Sequence, residues 1–258
     1  MDSFPIIQDP WFYAVAVPAA LLIGLSKSGF AAGFGALSTP LVALTLPVPQ
    51  AAAIMLPLLL VADAVGLQRL WQARDPALLK LMLPFGLLGI GVGLMLFGVF
   101  TTAAVSGVVG ALTLAFLVQR LLFPPRRDGP RAPRWVGQTC AVASGFTSFV
   151  AHAGSPPINA YVLPMRLDPK VYAGTMAVFF AVLNTAKIAP YAWLGQIDLR
   201  NMLTSLLLLP LPPLGVWAGV WLAGRISPKL FYQFAYVGMA FTGTKLLWDG
   251  VKAATSEG

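Results

Sequence analysis

Charge is what this sequence has least of. Only 10% of its 258 residues are Asp, Glu, Lys or Arg, against about a quarter in an ordinary soluble domain. No charged residue lies between Lys27 and Asp63, between Lys80 and Arg120, or between Arg200 and Arg225. A water-soluble protein of this length could not hide so much apolar surface. Acids are the scarcer sign, 9 against 17 Lys and Arg, and the only glutamate is Glu257. That argues against an enzyme working with paired carboxylates inside the membrane. One cysteine, Cys140, excludes an internal disulfide and a cysteine-based metal site. No Gly-x-x-x-x-Gly-Lys-Ser/Thr stretch is present to cradle a nucleotide. The start, Met1-Asp2-Ser3, has an acid where a signal peptide needs a cation, so the first apolar segment is expected to be retained. No cofactor and no metal is expected.

What is present is continuous apolar sequence, 58% of the chain. A helix needs roughly 20 apolar residues to cross the hydrocarbon core. Residues 81–119 suffice for two crossings with a turn near 98–102. Strands of a membrane barrel would alternate polar and apolar residues instead. The expected fold is an all-α polytopic membrane protein. Arg120, Arg126, Arg127, Arg131 and Arg134, set among Pro124, Pro125, Pro130 and Pro133, divide it in the middle. The division predicts a first transmembrane repeat over 1–123, an Arg/Pro-rich cytoplasmic linker over 124–134, and a second repeat over 135–258.

Each half opens with a segment too long for one span and broken by Gly and Pro, residues 10–46 and 135–164. Each is read as a helical hairpin or broken helix. Three clean spans follow, about 50–70, 78–97 and 102–123, then 171–194, 202–223 and 230–248. A slide of about 122 residues pairs Ser26 with Ser148, Pro47 with Pro169, Trp71 with Trp193 and Gly93 with Gly215. The net charge of +8 sits in short loops, which speaks for membrane orientation rather than a nucleic-acid partner. With 120–134 in the cytoplasm, the loops 69–80, 166–170 and 225–229 fall on the same side, and all four are net positive. This requires a re-entering opening segment and an odd number of crossings per half. The two repeats are then inverted in the membrane.

The breaks carry the chemical signal. Gly24-Leu25-Ser26-Lys27-Ser28-Gly29 leads on to Gly33-Phe34-Gly35-Ala36-Leu37-Ser38-Thr39-Pro40; the second break runs from Gly145 through Ser148, His152 and Gly154-Ser155-Pro156-Pro157 to Asn159. Ser-Thr-Pro and Ser-Pro-Pro read as helix starts, with Ser or Thr as cap and Pro in the first turn. A helix start inside a membrane presents free N–H groups and a positive dipole end, and two facing starts would hold an anion. Close packing of small residues is the competing reading. Ionisable residues at membrane depth are expensive and usually functional. Lys27 and Lys187 are candidates to attract the anion, and Asp63 to pair with either or to carry a proton. His152, which titrates near neutral pH, is a second candidate relay. The predicted substrate-binding set is Lys27, Ser28, Gly33, Gly35, Ser38, Thr39, Ser148, His152, Gly154, Ser155, Asn159, Asn184 and Lys187. Asp63 and His152 are the predicted proton-coupling residues.

The Gly-rich opening that ends in Pro40, followed by Leu46-Pro47-Val48-Pro49-Gln50 and an Ala-rich span, resembles the sulfite exporter TauE/SafE family of membrane permeases. The second half is similar, with Gly145, Gly154, Pro156 and Pro157, then Leu167-Asp168-Pro169 and Ala173-Gly174-Thr175. The likeness runs from about Val15 to Asp249. Ala31, Ala32 and Ala36 stand where the family often has glycine. The resemblance implies a secondary transporter for a small sulfur-containing anion, sulfite or an organosulfonate, in the cell inner membrane. It would work by alternating access at a central site between the two broken segments. Its partners are then the small anion and membrane lipids, and the sequence leaves a homo-oligomer open. The rival readings are an anion channel and, behind it, an intramembrane enzyme acting on a lipid phosphate.

Overall fold

The structure is a computed structural model that describes residues 6–27, 34–97, 99, 101–122, 132–165, 167–223 and 228–256. Every regular element among them is helical. The first half gives α1 (Pro10–Lys27), α2 (Ser38–Val42), α3 (Val48–Leu70), α4 (Pro76–Phe97) and α5 (Thr102–Leu122). The second gives α6 (Arg134–Ala151), α7 (Ser155–Val162), α8 (Pro169–Ala186), α9 (Ile188–Trp193), α10 (Leu199–Leu208), α11 (Leu211–Ala223) and α12 (Pro228–Ser256). Among the described residues, five stretches are long and apolar enough to cross a membrane: Pro10–Lys27, Val48–Gln68, Pro76–Phe97, Lys170–Trp193 and Leu199–Gly219. Trp11, Met95, Trp193 and Trp217 stand well exposed on the outside, as lipid permits and water does not.

Both opening segments are broken, as their glycines and prolines predict. After α1, the described chain resumes in a 3₁₀ turn, Phe34–Leu37, that runs into α2. In the second half α6 stops at His152, whose φ of 54° makes it the one left-handed non-glycine residue among those described. Two spans expected to be clean are not. The stretch 171–194 breaks at Lys187, because Pro190 has no N–H to offer the carbonyl four residues back. The stretch 202–223 begins earlier, at Leu199, and breaks at 209–210 on the approach to Pro210, Pro212 and Pro213. The expected Ser/Thr caps are absent as well. Leu37 and Gly154 occupy the N-cap positions of α2 and α7, and neither helix has a side-chain cap.

Packing joins the halves crosswise. α1 lies against α11, and α6 lies against α4. A Cβ on Gly24 would stand 2.1 Å from the Pro212 carbonyl oxygen, and one on Gly145 would stand 1.9 Å from that of Gly86. In return, a Cβ on Gly215 would meet the Leu21 oxygen at 2.3 Å, and one on Gly89 the Val142 oxygen at 2.1 Å. Only glycine lets backbones approach so closely. α3 crosses α8, and α5 lies along α12. The apolar core divides accordingly. One cluster combines Phe12, Ala16 and Ile23 of α1 with Ile54 and Leu58 of α3 and Leu208 of α10. The other combines Met82 of α4, Phe149 of α6, Ile158 of α7 and Phe179 of α8.

Candidate functional site

Where α3 and α8 cross, the ionisable residues singled out in the sequence come together. Lys27, at the end of α1, is ion-paired with Asp63 of α3. It does not reach out to water; its side chain is 16% exposed. The second carboxylate oxygen of Asp63 accepts from Asn184 Nδ2 at 2.5 Å. One turn further on, at the break that follows α8, Lys187 is fully buried. Its Nζ donates to Ser148 O at 3.0 Å and Ser148 Oγ at 3.1 Å, and it lies 2.6 Å from His152 Nδ1. These acceptors match the three donors of an ammonium group.

His152 is fixed at both ring nitrogens. Nε2 lies 2.8 Å from the Ala52 carbonyl oxygen, which can only accept, so Nε2 carries the proton. Nδ1 faces the Lys187 ammonium and therefore accepts. The imidazole is neutral in this arrangement, and its tautomer is set by its neighbours. The cluster then holds two lysines and one carboxylate. Among the described residues Asp63 is the only buried acid.

The remaining predicted residues divide. Ser38 and Thr39 are buried, and neither hydroxyl has a hydrogen-bond partner among the described residues. Gly35 packs against Ser26. Gly154 is drawn back onto α6, its carbonyl accepting from Ser144 Oγ at 2.6 Å. Asn159 accepts from Tyr172 OH at 2.8 Å and so ties α7 to α8. Ser155 opens α7 at its first position. Ser28 and Gly33 lie outside the described residues. Pro156 and Pro157 remove two of the amides that the start of α7 would otherwise present. Two contributors escaped the sequence reading. The Ala52 carbonyl has no sequence signal at all. Tyr191, whose hydroxyl donates to Phe149 O at 2.6 Å, could have been found one turn beyond Lys187 on the same helical face.

A cavity of about 440 Å³ lies beside this cluster. The first break lines it with Ala36 and Leu37, and the second with Ala153, Pro156 and Pro157. Thr113 of α5 and Thr139, Cys140 and Thr147 of α6 complete much of the wall. Thr147 and Ala153 are chain neighbours of Ser148 and His152, but the cavity lining includes none of Lys27, Asp63, Ser148, His152 and Lys187.

An apolar exterior, several spans and a charged cluster shut away from that exterior define a polytopic helical membrane protein with an internal polar site. Its sequence takes the assignment further: the sulfite exporter TauE/SafE family model matches residues 16–246, and the chain belongs to that family. The family is one of membrane transporters, not of enzymes, which sets the lipid-phosphate enzyme aside. No curated protein and no solved structure matches the chain.

Proposed function

We propose that this protein is a secondary transporter carrying a small anion, sulfite or an organosulfonate, across the inner membrane. Two halves, inverted relative to each other, rock around the cavity between the breaks and open it to one side at a time. The crosswise packing of α1 on α11 and α6 on α4 supports two related halves, and the basic loops support their orientation.

The observation that carries the reading is the charge balance of the buried cluster. Lys27 is paired with Asp63, whereas the partners of Lys187 are Ser148 and His152, neither of them an acid. A buried cation without a counter-charge is costly in a membrane, and an anion in the cavity offsets that cost. The hydroxyls of Ser38 and Thr39 add donors near the first break.

Reconstitution into liposomes tests this reading. Sulfite, sulfate, thiosulfate and short organosulfonates are offered as exchange substrates, and saturable exchange of at least one is expected. Lys27→Ala and Lys187→Ala should each weaken it; full activity in both would remove the two lysines from the site. Flux that never saturates would favour a channel. In the same vesicles, flux that ignores an imposed pH gradient would remove the coupling role of Asp63 and His152.

A further inference from the structure

A separation of 121 residues relates Asp63 to Asn184, and these two are hydrogen-bonded to each other. The same separation relates Gly24 to Gly145, whose backbone crossings are alike. In the first half, position 27 of α1 holds position 63 of α3. In the second, Lys187, one turn beyond Asn184, donates to Ser148 of α6. Lys187 is also within electrostatic reach of both Asp63 and Lys27.

We propose that Asp63 is handed from Lys27 to Lys187 when the transporter changes the side it faces, an inference that rests on the alternating-access reading above. The path is short. Asn184, in the last turn of α8, and Lys187, at the break that follows it, are three residues apart, about 4.5 Å along the helix axis, so a one-turn slip of α3 along α8 exchanges the partners. With Asp63 on Lys27, Lys187 lacks an acid and draws the anion to the cavity. With Asp63 on Lys187, that attraction is cancelled and the anion leaves. Lys27, at the carboxyl end of α1, remains favourable next to that end's negative dipole. One carboxylate between two lysines makes a two-position switch that needs no proton.

A charge swap separates this from a fixed ion pair. In Lys27→Asp/Asp63→Lys the pair survives with its signs reversed. A fixed pair predicts that sulfite exchange returns to the wild-type rate. The handover predicts restored thermal stability with exchange below about a tenth of wild type, because a lysine at 63 confronts Lys187. A swap that transports like wild type overturns the proposal. If the swap does not fold, unaltered protein decides. Dicyclohexylcarbodiimide joins a carboxylate to a touching lysine as an amide, read by mass spectrometry. We expect the 63–27 link without substrate and a 63–187 link appearing under saturating sulfite; a 63–27 link under both conditions overturns the handover. Wild-type vesicles that exchange no anion at all would instead sink the transporter reading itself.

Discussion

His152 shows how one residue can serve backbone and charge together. It ends α6 in the left-handed region, which costs a non-glycine residue roughly 1–2 kcal/mol. Its ring meanwhile links the Lys187 ammonium to the Ala52 carbonyl. His152→Ala keeps the backbone cost and removes an acceptor from a buried cation, a hydrogen bond worth about 1.5–3 kcal/mol. Asparagine tolerates the left-handed region and brings an amide oxygen. Thermal melts in detergent should therefore rank His152→Asn above His152→Ala, with alanine losing about 2–3 kcal/mol; equal melts would mean that Nδ1 does not hold Lys187. Asp63→Asn leaves Lys27 and Lys187 without an acid and should cost of order 3 kcal/mol by the same assay. That Lys27, Asp63, His152 and Lys187 lie within apolar segments, where ionisable groups are costly, was legible in the sequence. Their pairing was not. Lys27 and Asp63 are 36 residues apart, Lys187 and His152 are 35 apart, and two partners had been open to Asp63.

Among the elements, length and hydrophobicity located α3, α4 and α5 to within two residues of their expected ends. The same rule merged α8 with α9 and α10 with α11. An apolar run reports what suits lipid but not where the hydrogen-bond ladder is interrupted. Pro190 and Pro210 held that information. The glycines were harder to read, because a close crossing and a lipid-facing position look alike in sequence. Gly24 and Gly145 meet carbonyl oxygens of the opposite half, whereas a Cβ on Gly91 meets nothing within 4 Å. Gly24→Ala and Gly145→Ala should each destabilise by about 1–3 kcal/mol through forced separation of the helices. Gly91→Ala should be neutral or stabilising by up to about 1 kcal/mol, since alanine is the better helix former. Denaturation of the three variants side by side checks the order, and a mild effect at Gly24 would mean that α1 and α11 are not clamped there.

For the whole molecule, sequence halves and packed cores do not coincide. The apolar face of α1 is covered partly by α11, and that of α6 by α4; the first core borrows Leu208 from the second half, and the second borrows Met82 and Ile90 from the first. A division at residues 124–134 marks where the chain can be cut without defining units that stand alone. Each half can insert as separate spans, because insertion needs only apolar length and satisfied helical hydrogen bonds. Each would then expose paired glycines and one or two charges of the central cluster, with the second half carrying Lys187 but not Asp63. Expressed singly, residues 1–123 and 135–258 should therefore be degraded or fail to bind anion. Expressed together, they should co-purify and recover sulfite exchange, because α1 packs on α11 and α6 on α4 across the two halves. Co-purification should be lost in Gly24→Ala/Gly145→Ala, which obstructs both crossings, and kept in Gly91→Ala. A half that folds and melts cooperatively on its own would refute the interlocked architecture.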